Sequence, residues 1–219
     1  MISRLPSRVW GGLLLLAFVA GSVNVVGFLS YNHQGLSHLT GVTSMLGAAV
    51  AAGDIGETLH LFAAISAFVS GCAISGAIIK DSTLRIRGSY ALALCLVSLL
   101  LLSSISFFRA GSMVAIYLTS MACGIQNAMV TTYSGAALRT THISGMFTDL
   151  GIALGHFLRG VPNDPKRLRL CLIVIAGFLS GGVFGSYLYA RVGYGVLVVP
   201  AGLTLLLAAV TVSLARKEQ

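Results

Sequence analysis

Charge is what this sequence has least of. Only 9% of its 219 residues are charged, six acids against fourteen lysines and arginines, where a soluble domain carries about 25%. Such scarcity excludes a fully solvated globular surface. Cysteine is sparse too: Cys72, Cys95, Cys123 and Cys171 fall within or beside apolar runs and form no CxxC pair. They read as small buried hydrophobes, which excludes a zinc ribbon or a disulfide framework. There is no GxxxxGK[ST] and no GxSxG, so neither a phosphate-cradling loop nor a nucleophile elbow is encoded. Energy from ATP would have to come from another subunit, and no cofactor is called for.

What fills the chain instead is hydrocarbon. The apolar content is 56%, and several runs reach about 20 residues, the length that crosses a hydrocarbon core of about 30 Å. The fold class is therefore all-α: a single polytopic membrane domain over 1–219. Six runs are long enough to span, at about 9–30, 58–79, 89–108, 111–132, 170–190 and 194–214. The N-terminal MISRLPSRVWGGLLLLAFVAG imitates a signal peptide, but its apolar run continues to about Leu29, too long for a signal-peptide core. We expect it to remain as the first span, with no soluble domain at either end.

Two further segments, 37–53 and 142–158, have 17 residues each and as helices would reach only about 26 Å at about 1.5 Å per residue. They are either short spans, giving eight, or re-entrant segments that leave on the side they enter. Basic residues concentrate in cytoplasmic loops of membrane proteins. Six spans with the N-terminus inside put 12 Lys and Arg on the cytoplasmic side and only Arg109 and Arg191 outside; eight spans give 9 against 5. The acidic GDIGE loop, with Asp54 and Glu57, then faces outward. The expectation is six spans, two re-entrant segments and both termini in the cytoplasm. The net charge of +8 is topological on this reading, with no nucleic-acid partner.

The short segments are copies of one another. SHLTGVTSMLG at 37–47 aligns with THISGMFTDLG at 141–151, matching His38 to His142, Gly41 to Gly145 and Gly47 to Gly151. GSVN at 21–24 answers GIQN at 124–127, and FVSG at 68–71 answers FLSG at 178–181. Around the latter, Ala67, Gly71 and Ser75 match Gly177, Gly181 and Gly185, rows of small residues that let another helix approach closely. The chain reads as repeat one at 9–108 and repeat two at 111–214. Each repeat holds three spans, an odd number, so the second copy lies upside down relative to the first. Inverted repeats with broken helices recur in transporters, with the site where the copies meet.

The GIQNA segment (124–128) followed by HISGMFTDLG resembles the YoaK family, also called domain of unknown function 1275, over nearly the whole chain. The resemblance implies a small bacterial inner-membrane protein. The family's first-half T-G-N is here Thr40, Gly41 and Val42, so this chain has no asparagine amide at that position.

The candidate residues follow from the repeat. Asp149 is the only carboxylate inside a mainly apolar segment, and such acids commonly serve as proton or cation sites. The plainer reading is an interfacial acid paired with Arg139 or Arg159. Its counterpart in repeat one is Met45. His38 and His142 would bind substrate or switch charge near neutrality, or simply sit at the mouths of the short helices. A metal site joining them to Asp149 lacks any close ligand spacing. Asn24, Gln126 and Asn127 either line a polar path or bond the non-helical backbone beside the short segments. Thr40, Ser44, Ser144 and Thr148 are candidates to cap the short helices, while Gly41 and Gly145 permit a close turn.

Function then divides. A small-solute transporter or channel-like protein, proton-coupled if Asp149 titrates, follows from the repeat and the acid. A non-transporting scaffold, with a homo-oligomer as partner, follows from the small-residue rows. An intramembrane enzyme using His142 and Asp149 would lack a nucleophile and a metal set.

Overall fold

The computed structural model describes residues 9–30, 35–79, 88–134 and 140–217. The calls on Arg4, Arg8, Lys80, Arg85, Arg87 and Arg139 lie outside these residues. Among them the chain is helical throughout: α1 (Val9–Leu29), α2 (Leu39–Ala52), α3 (Ile55–Ile78), α4 (Gly88–Arg109), α5 (Val114–Tyr133), α6 (Ile143–Leu158), α7 (Pro165–Val192) and α8 (Val198–Lys217). Helices are what apolar runs must form in lipid, since every backbone group then bonds within its own segment. Five stretches are long and apolar enough to cross a membrane: Trp10–Leu29, Ile55–Ile78, Gly88–Arg109, Val114–Tyr133 and a continuous Pro165–Ala215. The last contains α7, a 3-10 turn at Gly193–Leu197 and α8.

Local chemistry sets the ends. Asp54 caps α3 by accepting from the Glu57 N–H at 3.0 Å, and Asp164 caps α7 by accepting from the Lys166 N–H at 2.9 Å. Pro165 follows at the first turn of α7, where its missing N–H is harmless. These caps start α3 and α7 a few residues before the apolar runs begin at 58 and 170. Gly53 closes α2 in the left-handed region (φ 70), a conformation that costs other residues more. Gly193, at φ 58, makes the break between α7 and α8.

Packing follows a simple order. The most extensive contacts are α1 on α7 and α3 on α5, then α4 on α5 and on α8. α2 packs on α3, and α6 on α7. Side-chain contacts give the directions. Along α1 and α7 the partners rise together: Arg169 lies over the Trp10 ring at 5.0 Å, and Ser22 Oγ donates to the Gly181 carbonyl at 3.0 Å. The two helices are parallel. α3 and α5 are parallel by the same test, from His60 Nδ1 and Tyr117 OH at 3.0 Å to Cys72 Sγ and the Gly124 carbonyl at 3.4 Å. The end of α4 meets the region between α7 and α8, where Phe108 stacks on Tyr194 at 4.7 Å. Hence the end of α1 and the start of α3 lie toward one end of the molecule, and α2 between them departs from and returns to that end. α6 does the same at the opposite end.

Four glycines permit the two close crossings. A Cβ on Gly21 would overlap the Phe178 carbonyl, and one on Gly181 would overlap that of Phe18. In the other crossing, Gly124 faces the Phe68 carbonyl and Gly71 faces that of Met121. Each crossing takes one glycine from GSVN or GIQN and one from FVSG or FLSG, always from opposite repeats. The rows of small residues were expected to admit a neighbour; that the neighbour presents its own aligned glycine was not foreseen.

Overpacking a tight contact costs about 1–3 kcal/mol or more. Gly124→Leu or Gly181→Leu is therefore expected to abolish the cooperative thermal transition of the detergent-purified protein or lower it by several degrees. Gly47→Leu and Gly182→Leu, whose glycines face open space, should leave the transition within about 1–2 °C, on the scale of about 2–4 °C per kcal/mol for a chain of this size.

Candidate functional site

The twelve candidate residues separate into distinct places. Asn24, buried in α1, accepts at Oδ1 from the Ser37 N–H at 3.1 Å and from Ser37 Oγ at 3.0 Å. It thereby fixes the non-helical residue ahead of α2. In the other repeat the aligned Asn127 does not do this. Its Oδ1 is buried without a hydrogen-bond partner among the described residues, and the neighbouring Gln126 takes over. Gln126 Nε2 donates to the Leu16 carbonyl at 2.8 Å and to Thr140 Oγ1 at 3.4 Å, just ahead of α6. Of the two roles the sequence left open, Asn24 thus bonds backbone beside a short helix, whereas Gln126 bonds a carbonyl inside α1 and a hydroxyl beside α6. Gln126 also borders a central cavity of about 10 Å³ with Val23, Val97, Cys123 and Thr141, room for about one water.

His38 and His142 occupy equivalent positions at the heads of α2 and α6, and neither makes a side-chain cap bond. Instead each imidazole folds back over the glycine three residues on. A Cβ on Gly41 would lie 2.6 Å from His38 Cδ2, and one on Gly145 would lie 2.5 Å from His142 Nδ1. The expected close turn is in fact a seat for the histidine ring. The hydroxyls also differ from expectation. Ser44 Oγ donates to the Thr40 carbonyl at 3.0 Å and Thr148 Oγ1 to the Ser144 carbonyl at 2.9 Å. They bond back along the helix, as mid-helix hydroxyls do, because they sit a full turn past the free N–H groups. Thr40, Ser44, Ser144 and Thr148 are all exposed, turned away from the helix each segment packs on.

Asp149 is not alone. The Arg167 guanidinium grips it with two bonds, Nη2 to Oδ1 at 2.8 Å and Nε to Oδ2 at 3.2 Å. The partner is on α7, one of the residues the early cap at Asp164 adds to that helix, and not the expected Arg159; the call on Arg139 lies outside the described residues. The side chains are 23% and 56% exposed, so the pair sits at the wall of an opening. That opening is a groove of about 250 Å³ between α6 and the start of α7, lined by Asp149, His156, Asn163, Asp164, Arg167 and Cys171 over an apolar base of Ile152, Ala153 and Leu168. Asn163 Nδ2 donates to the Ala153 carbonyl at 2.8 Å, tying the loop to α6. His142, seven residues from Asp149 and about 10 Å along the helix, does not line this groove. Arg167, Cys171, Asn163, Asp164 and His156 were missed from sequence. The Asp164-Pro165 cap was the available signal, since it lengthens α7 to include Arg167.

An all-helical bundle with several membrane-length apolar segments and an ion pair set in a groove at one end defines a multi-pass membrane protein. The model of the family described as protein of unknown function DUF1275 matches residues 12–210, and the chain belongs to that family. No curated protein matches it, and no solved structure does.

Two substitutions separate support from site. Asn24→Ala strands the buried Ser37 N–H and is expected to cost about 1–3 kcal/mol, read as a loss of several degrees in thermal unfolding. Asp149→Asn acts on a part-exposed pair, worth about 0–1 kcal/mol, and should move the same transition by at most about 4 °C.

Proposed function

We propose that the chain is a six-span bacterial inner-membrane protein of two inverted repeats that carries or passes a small polar solute. The observation that supports it best is the pairing of its helices. α1 is parallel to α7 and α3 to α5, each crossing joins a first helix of one repeat to a third of the other, and the glycines match. A half-turn that exchanges the repeats and reverses their direction preserves all of these contacts. On this reading Pro165–Ala215 crosses twice, turning at Gly193, and α2 and α6 are re-entrant helices entering from opposite faces. Irregular backbone at such depth is tolerated where it is buried in protein and bonded, as the Ser37 N–H is by Asn24.

Orientation rests on charge and aromatics. The end holding Trp10, Arg159, Lys166, Arg167 and Arg169 faces the cytoplasm, as do both termini. The opposite end carries Tyr187 under Arg191 at 4.2 Å, with Tyr189 and Tyr194 beside it, aromatics suited to the other interface. The solute site in this account is the groove beside Asp149. Proton coupling through Asp149 would work by release of Arg167 when the carboxylate takes up a proton.

A second reading is a non-transporting scaffold. It is favoured by the exposed small faces of the short helices, Thr40, Ser44, Gly47 and Ala51 on α2 and Ser144, Thr148, Gly151 and Gly155 on α6, which suit close helix contacts.

Two experiments address these readings. Single cysteines at Asp54 and Asp164 in a cysteine-free background should be labelled from outside and from inside the cell respectively; labelling of both from one side contradicts the topology. In proteoliposomes, solute flux should rise above that of empty vesicles and fall at least tenfold in Asp149→Asn. Flux equal to empty vesicles across amino acids, sugars, nucleobases and anions would favour the scaffold.

A further inference from the structure

The groove between α6 and α7 holds a complete ion pair beside open space. Arg167 uses Nε–H and one Nη2–H on Asp149, and a guanidinium has five N–H donors, so three remain. They are held in a fixed fork, because the bidentate pair orients the whole plane. Asp149 keeps acceptor capacity beyond those two bonds and the distant Cys171 thiol at 3.9 Å. Asp164 adds a second carboxylate to the lining.

Each simple ligand class meets an obstacle here. An anion would face two carboxylates. A plain hydrocarbon would have to cover the pair and strip its water, which is costly without new bonds. A bare amine would satisfy the carboxylates but leave the open edge of Arg167 unused. A molecule bearing both an ammonium and a carboxylate satisfies both partners and adds no net charge at the membrane edge. We propose that the groove between α6 and α7 is a binding site for a small zwitterion of the amino-acid class. The carboxylate lies on the free edge of Arg167 and the ammonium on Asp149 and Asp164. A short aliphatic part rests on Ile152 and Leu168. The volume of about 250 Å³ lies just under the range of about 300–1,000 Å³ for drug-sized ligands, which suits a metabolite of this size. The site belongs to one end only, since repeat one has Met45 in the place of Asp149.

This inference rests on the small-solute reading above, and the test keeps the two apart. Thermal unfolding of the full-length purified protein is followed with glycine, alanine, serine and γ-aminobutyrate, and with ethylamine and propionate at matched ionic strength. At about ten times its Kd a bound zwitterion is expected to raise the transition by about 3–6 °C, with ethylamine giving less and propionate nothing. Arg167→Gln and Asp149→Asn should each abolish the shift. Ile152→Trp, at an exposed groove wall, should abolish it too while melting like the parent without ligand, which separates site loss from misfolding. No shift with any zwitterion, a shift that survives Arg167→Gln, or propionate equal to the zwitterions overturns the proposal. Binding without flux of the same zwitterion in proteoliposomes upholds the site and removes transport. Flux that is indifferent to all three substitutions upholds transport and removes the site.

Discussion

The fold depends on backbone touching backbone. At each of two crossings a carbonyl oxygen occupies the space where a glycine would otherwise carry Cβ, and the second helix does the same in return. In lipid there is no solvent to drive helices together, so close van der Waals contact must do it. Glycine alone permits that distance. Each crossing joins a helix from the first half of the chain to one from the second, α1 to α7 and α3 to α5. α4 and α8 then close the centre by packing on each other and on α5 and α1.

That centre leaves little room for solute. Where the two copies meet there is space for about one water; the larger polar opening lies at one end, between α6 and α7. The short helices explain the difference. Each packs mainly on one neighbour, α2 on α3 and α6 on α7, with only its head anchored inward by an amide. A helix held by one neighbour leaves a groove open along that contact, here between α6 and the start of α7. The groove beside α6 holds Asp149 and Arg167, while the position that answers Asp149 on α2 is Met45.

Much of this was legible in the sequence, and the limits have physical causes. Length and hydropathy suffice for helices that must bond internally, so the helical class and most boundaries were readable. Repeated GSVN/GIQN and FVSG/FLSG strings marked the helix contacts, because a glycine at a crossing cannot be replaced freely. The partner of each glycine was not readable, since pairing across repeats is a matter of three-dimensional closure. Asp149 stood out as a lone acid in an apolar segment. Arg167 did not, because it lies outside the apolar run and joins α7 only through the Asp164 cap. Ser44 and Thr148 were misassigned for a related reason: a residue more than one turn inside a helix has only carbonyls to bond.

The account's central claim is that α1 runs parallel to α7 and α3 to α5, which makes the two repeats antiparallel. Spin labels at Leu29 and Val192, at the ends of α1 and α7, measure it most directly by pulsed distance spectroscopy in bilayers. α7 has 28 residues, so its ends are about 42 Å apart at about 1.5 Å per residue. The account predicts a short distance for Leu29–Val192, about 10–20 Å, and a long one for Leu29–Pro165, about 40 Å. The reverse order would contradict it.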